Sequence, residues 1–90
     1  MLNSTLHGAR VVIIDDVQAN MRLLESSLRT MGLGQVKGFS DSAEGLRWLQ
    51  ENSWDLLLLD LDMPEPDGFT ILEALRERDR TAQQVILVTA

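Results

Sequence analysis

Four short apolar runs, each separated from the next by a stretch with helical spacing, constrain this chain more than any other feature of its 90 residues. Arg10 to Ile14 (RVVII) is β-branched, stops at Asp15-Asp16, and reads as a strand buried on both faces. Val17, Met21, Leu24 and Leu28 then recur at helical spacing, with Met31 continuing the stripe and Gly32 placed to stop it. Gln35 to Phe39 is a second strand, weakened by Gly38. Asp41-Ser-Ala-Glu44 has capping-box spacing with Asp in the leading position, and Ala43, Leu46 and Leu49 supply a second helical face. Asp55 to Leu59 is the most apolar strand, Pro64 and Pro66 force a loop, and Phe69 to Arg78 is a helix carrying Ile71, Leu72 and Leu75. Gln84 to Thr89 is the fourth strand. Strand and helix alternating at this interval predict an α/β fold, a three-layer, doubly wound parallel sheet with helices on both faces. Residues 1–9 are expected to be a loose lead-in.

Composition narrows the function classes. A chain of this length holds one domain, and its 44% apolar and 24% charged residues are ordinary for a globular protein. There are no cysteines, hence no disulfide framework and no thiolate metal site. A formal charge of −6 argues against direct binding of nucleic acid by this domain. No apolar run approaches the roughly 20 residues of a membrane span, and MLNSTLHGAR lacks the pattern of a secretory signal. A cytoplasmic domain without a membrane partner is therefore expected.

The acids are less ordinary. In LLLLDLDMPEPDG, Leu56 to Gly68, four leucines deliver Asp60, and Asp62 and Asp67 follow closely. Carboxylates at close range resist ionising together. In a doubly wound sheet, ligands bind at the carboxyl ends of the strands, where the strand order reverses. Asp15 and Asp16 end the first strand and Asp60 the third, so a 2-1-3-4 order brings three carboxylates to one crevice. A hard divalent cation, of which Mg²⁺ fits best, would compensate them. The bland alternative is that Asp15 and Asp16 only cap the following helix, where acids suit the helix dipole.

Taken together, VVIIDD, LLLLD followed by x-D-M-P-x-x-D-G, and the closing VTA are similar in order and spacing to the receiver domains of two-component response regulators, over about Arg10 to Ala90. The resemblance implies a flavodoxin-like order. It also implies that Asp60 accepts a phosphoryl group from the phosphohistidine of a histidine kinase or phosphotransfer protein, switching an output domain. Mg²⁺ would be held by Asp16 directly, by Asp15 mostly through water, by Asp60, and by the backbone carbonyl of Asp62. Thr89, ending the fourth strand, would contact the phosphoryl group and act as the switch. Such a module is no separate enzyme; at most it catalyses its own phosphorylation and dephosphorylation.

Full receivers of this family also carry a fifth strand, further helices and a lysine ending that strand. The resemblance therefore implies a partial receiver domain over 10–90 with the fifth strand and last helices missing, and the only lysine, Lys37, lies on the second strand. An apolar fourth strand at a sheet edge invites pairing with a second copy, so a homodimer is expected. Asn20, Leu23 and Leu24 resemble receivers joined to cyclic-dinucleotide enzymes or hybrid kinases, although a DNA-binding output stays open.

Two rival functions use the same residues. LLLLDLD resembles the D-x-D nucleophile motif of haloacid-dehalogenase-type phosphatases, with Asp60 as nucleophile and Asp62 as general acid. That motif usually lies on the first strand, and it leaves Asp15 and Asp16 unexplained. The second rival is a receiver-like fold kept for protein contacts without phosphorylation. A calcium loop fails on spacing, because Pro64 and Glu65 fall where a ligand and a glycine are required. His7, Trp48, Trp54 and the mixed run Arg76 to Arg80 read as solvated or packing residues.

Overall fold

The alternation predicted from the apolar runs is realised as four parallel strands and three helices in strict succession. The computed structural model describes residues 8–76 and, as backbone only, 84–88. The strands are β1 (Arg10–Ile14), β2 (Gln35–Phe39), β3 (Leu56–Asp60) and β4 (Gln84–Val88). The helices are α1 (Gln18–Thr30), α2 (Ser42–Glu51) and α3 (Gly68–Arg76). The sheet order is β2-β1-β3-β4, the predicted arrangement; all strands stay parallel, and the order in which they are added reverses between β1 and β3.

Strand alternation divides the core into two layers, because successive side chains point to opposite faces. Val12, Ile14, Phe39, Leu57 and Leu59 pack on one face with Leu49 and Trp54 and with Ile71 and Leu75 of α3. Val11, Ile13, Val36 and Leu58 pack on the other with Met21 of α1 and with Leu33. Leu57 and Leu59 are 0% exposed, and burying a leucine contributes about 1.5–3 kcal/mol. The leucine run thus anchors both the fold and the residue that follows it. Trp54 is buried, with its indole N–H donating to the Leu49 carbonyl at 3.1 Å, so it packs as expected.

The helix ends follow local chemistry. Past α1, Gly32 takes a positive φ of 104°, with its N–H donating to Arg29 O and that of Leu33 to Leu28 O. This is a Schellman closure, which glycine adopts without steric cost. Asp41 caps α2 by accepting from the N–H groups of Ala43 and Glu44.

Several sequence expectations need correction. Val17 and Met31 are not in the core stripe: Val17 is the N-cap residue of α1 and Met31 its C-cap, both about half exposed. A residue beyond the last full turn no longer follows the buried face, and Leu33 fills that place after the chain reverses at Gly32. Ala43 is exposed, and α2 buries Ser42, Gly45 and Leu49 instead. Gly45 sits close under the sheet, where a Cβ would meet the tip of Ile14 at 2.7 Å and push that side chain aside. The third strand runs one residue later than predicted, ending on Asp60. The third helix is described only to Arg76, and the predicted stretch at Glu77 and Arg78 lies outside the described residues.

Candidate functional site

β1 and β3 are neighbours in register, with Ile14 opposite Leu59. One step further along both strands sets Asp15 beside Asp60. Asp15 also continues from β1 by donating its N–H to Phe39 O. Asp15, Asp16 and Asp60 each offer a carboxylate oxygen within 4.8 Å of the others. Asp15 is 5% and Asp60 9% exposed, whereas Asp16 is open to solvent.

Each buried acid has one local donor. The Asp15 carboxylate accepts from the Val17 N–H at 2.9 Å, and Asp60 accepts from the Asp62 N–H at 3.0 Å. These bonds shape the turns after the strands and leave the charge uncompensated. No Arg, Lys or His pairs with any of the three acids among the described residues. Burial pushes the Asp15 carboxyl above its ordinary value, and the Asp60 and Asp16 charges add to that rise against the Val17 N–H. Asp15 does bond the Val17 N–H at the head of α1, as the capping alternative expects, while Val17 itself supplies no side-chain cap.

Asp16 and Asp60 open into a recess of 490 Å³ that is also lined by Val17, Asn20, Asp62, Met63 and Pro64. Asp62 therefore reaches the site, with its backbone N–H turned onto Asp60. Thr89 lies outside the described residues. Asn20 was read from the sequence only as a hint of the attached domain; its position one turn into α1 is the signal that places it at the rim. Asp67 serves the next helix, accepting from the Thr70 N–H at 2.8 Å, and that bond holds its carboxyl below the ordinary value. Gly68 packs so tightly under β3 that a Cβ would lie 2.6 Å from the Asp60 carbonyl oxygen. Oxygen donors gathered at the end of a strand, partly buried and without a cationic partner, are the donor set of a hard divalent cation.

A family model described as the response regulator receiver domain matches residues 11–90. The chain belongs to that family. As a receiver domain it is 37% identical over 84 residues to the response regulator PleD of Caulobacter vibrioides, covering 92% of this chain and 18% of PleD. It is 41% identical over 78 residues to protein-glutamate methylesterase/protein-glutamine glutaminase 3 of Geobacter sulfurreducens, covering 86% of this chain and 21% of that protein. The chain thus spans about a fifth of the length of these curated relatives. Among solved structures, it superposes on the response regulator TrrA of Thermotoga maritima in complex with Mg²⁺ and BeF, with a TM-score of 0.83 and 26% identity. That match covers 91% of this chain and 70% of the TrrA chain. The order β2-β1-β3-β4 is a receiver's sheet, and the phosphatase alternative is not favoured.

Proposed function

We propose that this receiver domain is a phosphoacceptor module in which Asp60 is the nucleophile. The observation that carries the reading is Asp60 itself, nearly buried at the end of β3 and set against Asp15 and Asp16, with no Arg, Lys or His paired to them among the described residues. A carboxylate oxygen attacks the phosphorus of a phosphohistidine. The new P–O bond forms as the P–N bond breaks, and the imidazole leaves carrying the bonding pair, which then takes a proton. The donor is a histidine kinase or a phosphotransfer protein, and the modification switches an output domain in the parent protein. Catalysis here goes no further than the domain's own phosphorylation and dephosphorylation.

Asp15, Asp16 and Asp60 would hold Mg²⁺, joined by the backbone carbonyl of Asp62, and when bound the ion supplies positive charge at the transferred oxygens. This chain's own contribution is positional. The β1–β3 register fixes Asp15 against Asp60, the leucines behind Asp60 exclude water from one side, and the Asp62 N–H orients its carboxylate. Thr89 is assigned the phosphoryl contact from the sequence pattern. No described helix is long and apolar enough to cross a membrane, and the reading places the domain in the cytoplasm. Among the described residues β4 has a strand on one side only, and a second copy pairing there is the assembly to look for.

The test is intact-protein mass spectrometry with Mg²⁺ and a small acyl phosphate. Gain of one phosphoryl group is expected in the wild type and not in Asp60→Ala; uptake by the variant would sink the assignment. Asp62→Asn should still accept phosphate, since the reading uses only its backbone, whereas a phosphatase relying on Asp62 as general acid would lose turnover.

A further inference from the structure

The opposite end of the sheet carries a second recess, remote from the acids, with a volume of 350 Å³. That is within the range of small-molecule pockets. It is lined by Arg10, by Gln35 and Lys37 of β2, and by Trp48 and Asn52 at the end of α2, with Val12 of β1 covered beneath them.

Charge sets this recess apart. The chain carries −6 overall, yet the lining holds Arg10 and Lys37 and no acid. The Arg10 guanidinium is committed to Asp55, at 3.0 and 3.1 Å. Lys37 forms no ion pair among the described residues. Its ammonium stands 5.5 Å from the Phe39 ring centroid and 6.0 Å from that of Trp48. Those rings lie 5.9 Å apart, so Trp48 is backed by Phe39 and its half-buried indole is held in place. The NH₂ groups of Asn52 and Gln35 donate to Trp48 O and Gly8 O, leaving their amide oxygens as acceptors.

We propose that this recess binds a small planar aromatic carboxylate, with the carboxylate on the Lys37 ammonium and the ring against the Trp48 indole. An inorganic anion would leave the Trp48 indole uncovered, and a neutral aromatic would leave Lys37 without an anionic partner. The opposite charge of the two sites separates their ligands: the acid crevice repels the anion that the Lys37 recess attracts. This inference is independent of phosphoryl transfer at Asp60.

The test is a titration of the ¹⁵N-labelled chain with indole-3-carboxylate, with neutral indole as control, followed by backbone and indole N–H shifts. Saturable shifts are expected at Lys37 and at the Trp48 indole N–H, with the Asp60 amide unmoved. Lys37 is exposed, so Lys37→Gln should keep the spectrum of a folded chain and weaken binding about tenfold, the scale of a lost charge-assisted bond. Lys37→Arg keeps the charge and should retain binding, and Trp48→Leu should weaken it further. Indole binding as tightly as its carboxylate, unchanged affinity in Lys37→Gln, shifts centred on the acids, or no saturable shift would each overturn the proposal.

Discussion

The two ends of the β1–β3 pair handle charge in opposite ways. At the amino end, Asp55 meets Arg10: the guanidinium grips its carboxylate at two points, the Arg10 backbone N–H adds a third bond, and Asp55 N–H returns one to Arg10 O. The Asp55 carboxyl is held below its ordinary value by that partner. At the carboxyl end, five residues further along each strand, Asp15 and Asp60 face each other with no cationic side chain paired to them among the described residues, and burial pushes the Asp15 carboxyl up. One pair of strands thus begins in an ion pair and ends in two like-charged carboxylates. The satisfied end costs little and ties the strands together. The unsatisfied end costs stability in the isolated chain and leaves attraction available for a cation. A fold that neutralised both ends would be steadier and would have nothing left to bind with.

The largest effect expected outside the nucleophile itself comes from Gly68→Ala. Its methyl group would press on the Asp60 carbonyl oxygen and the Leu61 Cα at 2.6 and 2.7 Å, both backbone atoms that cannot swing aside. A cost of about 1–3 kcal/mol is expected, the usual penalty of overpacking, together with loss of phosphoryl uptake as Asp60 shifts. Chemical denaturation beside the mass assay checks it, and a variant as stable and active as wild type would show that the acid end is loosely built. The amino end should tolerate similar insults, since Arg10 and Asp55 are both substantially exposed.

Next in size is Asp15→Asn, which tests the cost of the unsatisfied end. The native Asp15 holds its proton more tightly than the unfolded chain does, where the ordinary value is 3.8. Its contribution to stability is therefore full below 3.8, declines as pH rises through the raised native value, and stays lost at neutral pH. Without Mg²⁺, Asp15→Asn should be more stable than wild type at pH 7 and lose that decline. With Mg²⁺ at about 100 times its Kd, wild type should gain about 2.7 kcal/mol, and the variant much less. Thermal melts at several pH values, with and without Mg²⁺, read both. A variant less stable than wild type in the absence of the ion would remove the idea that these acids are a stored cost.

The smallest effect belongs to Asp55→Asn, and its pH dependence runs the other way. Asp55 is lowered, so its contribution is present above 3.8 and is lost as pH falls through the lower native value. The variant should be slightly less stable than wild type at neutral pH, with the difference vanishing in acid and shrinking in high salt, because the pair is solvent-exposed. Melts at low and high ionic strength would show this. An effect as large as that of Gly68→Ala would mean the two ends are equally critical.

Much of this was legible in the chain before any coordinates. Asp15, Asp16 and Asp60 each follow directly on an apolar run, and strand direction alone sends such residues to one edge of a parallel sheet. Helical periodicity was less informative, because spacing tells which residues share a face but not where the helix stops. Val17 and Met31 fit the period and are exposed because they sit at the ends of α1, and Ala43 is exposed because the buried face of α2 runs through Ser42, Gly45 and Leu49 beside it. Asn20 was visible only as a polar residue in a helix until the fold laid α1 along the rim of the acid recess.

The sequence by itself determined the succession of elements, the two-layered core and the delivery of three carboxylates to strand ends, because alternation and periodicity are properties of neighbours along the chain. Only the tertiary structure decided the register that sets Asp15 against Asp60, the tight seat of Gly68 against the backbone after β3, and the stand of Lys37 over two rings. Those facts depend on distances between residues far apart in sequence, and such distances exist only once the core has closed.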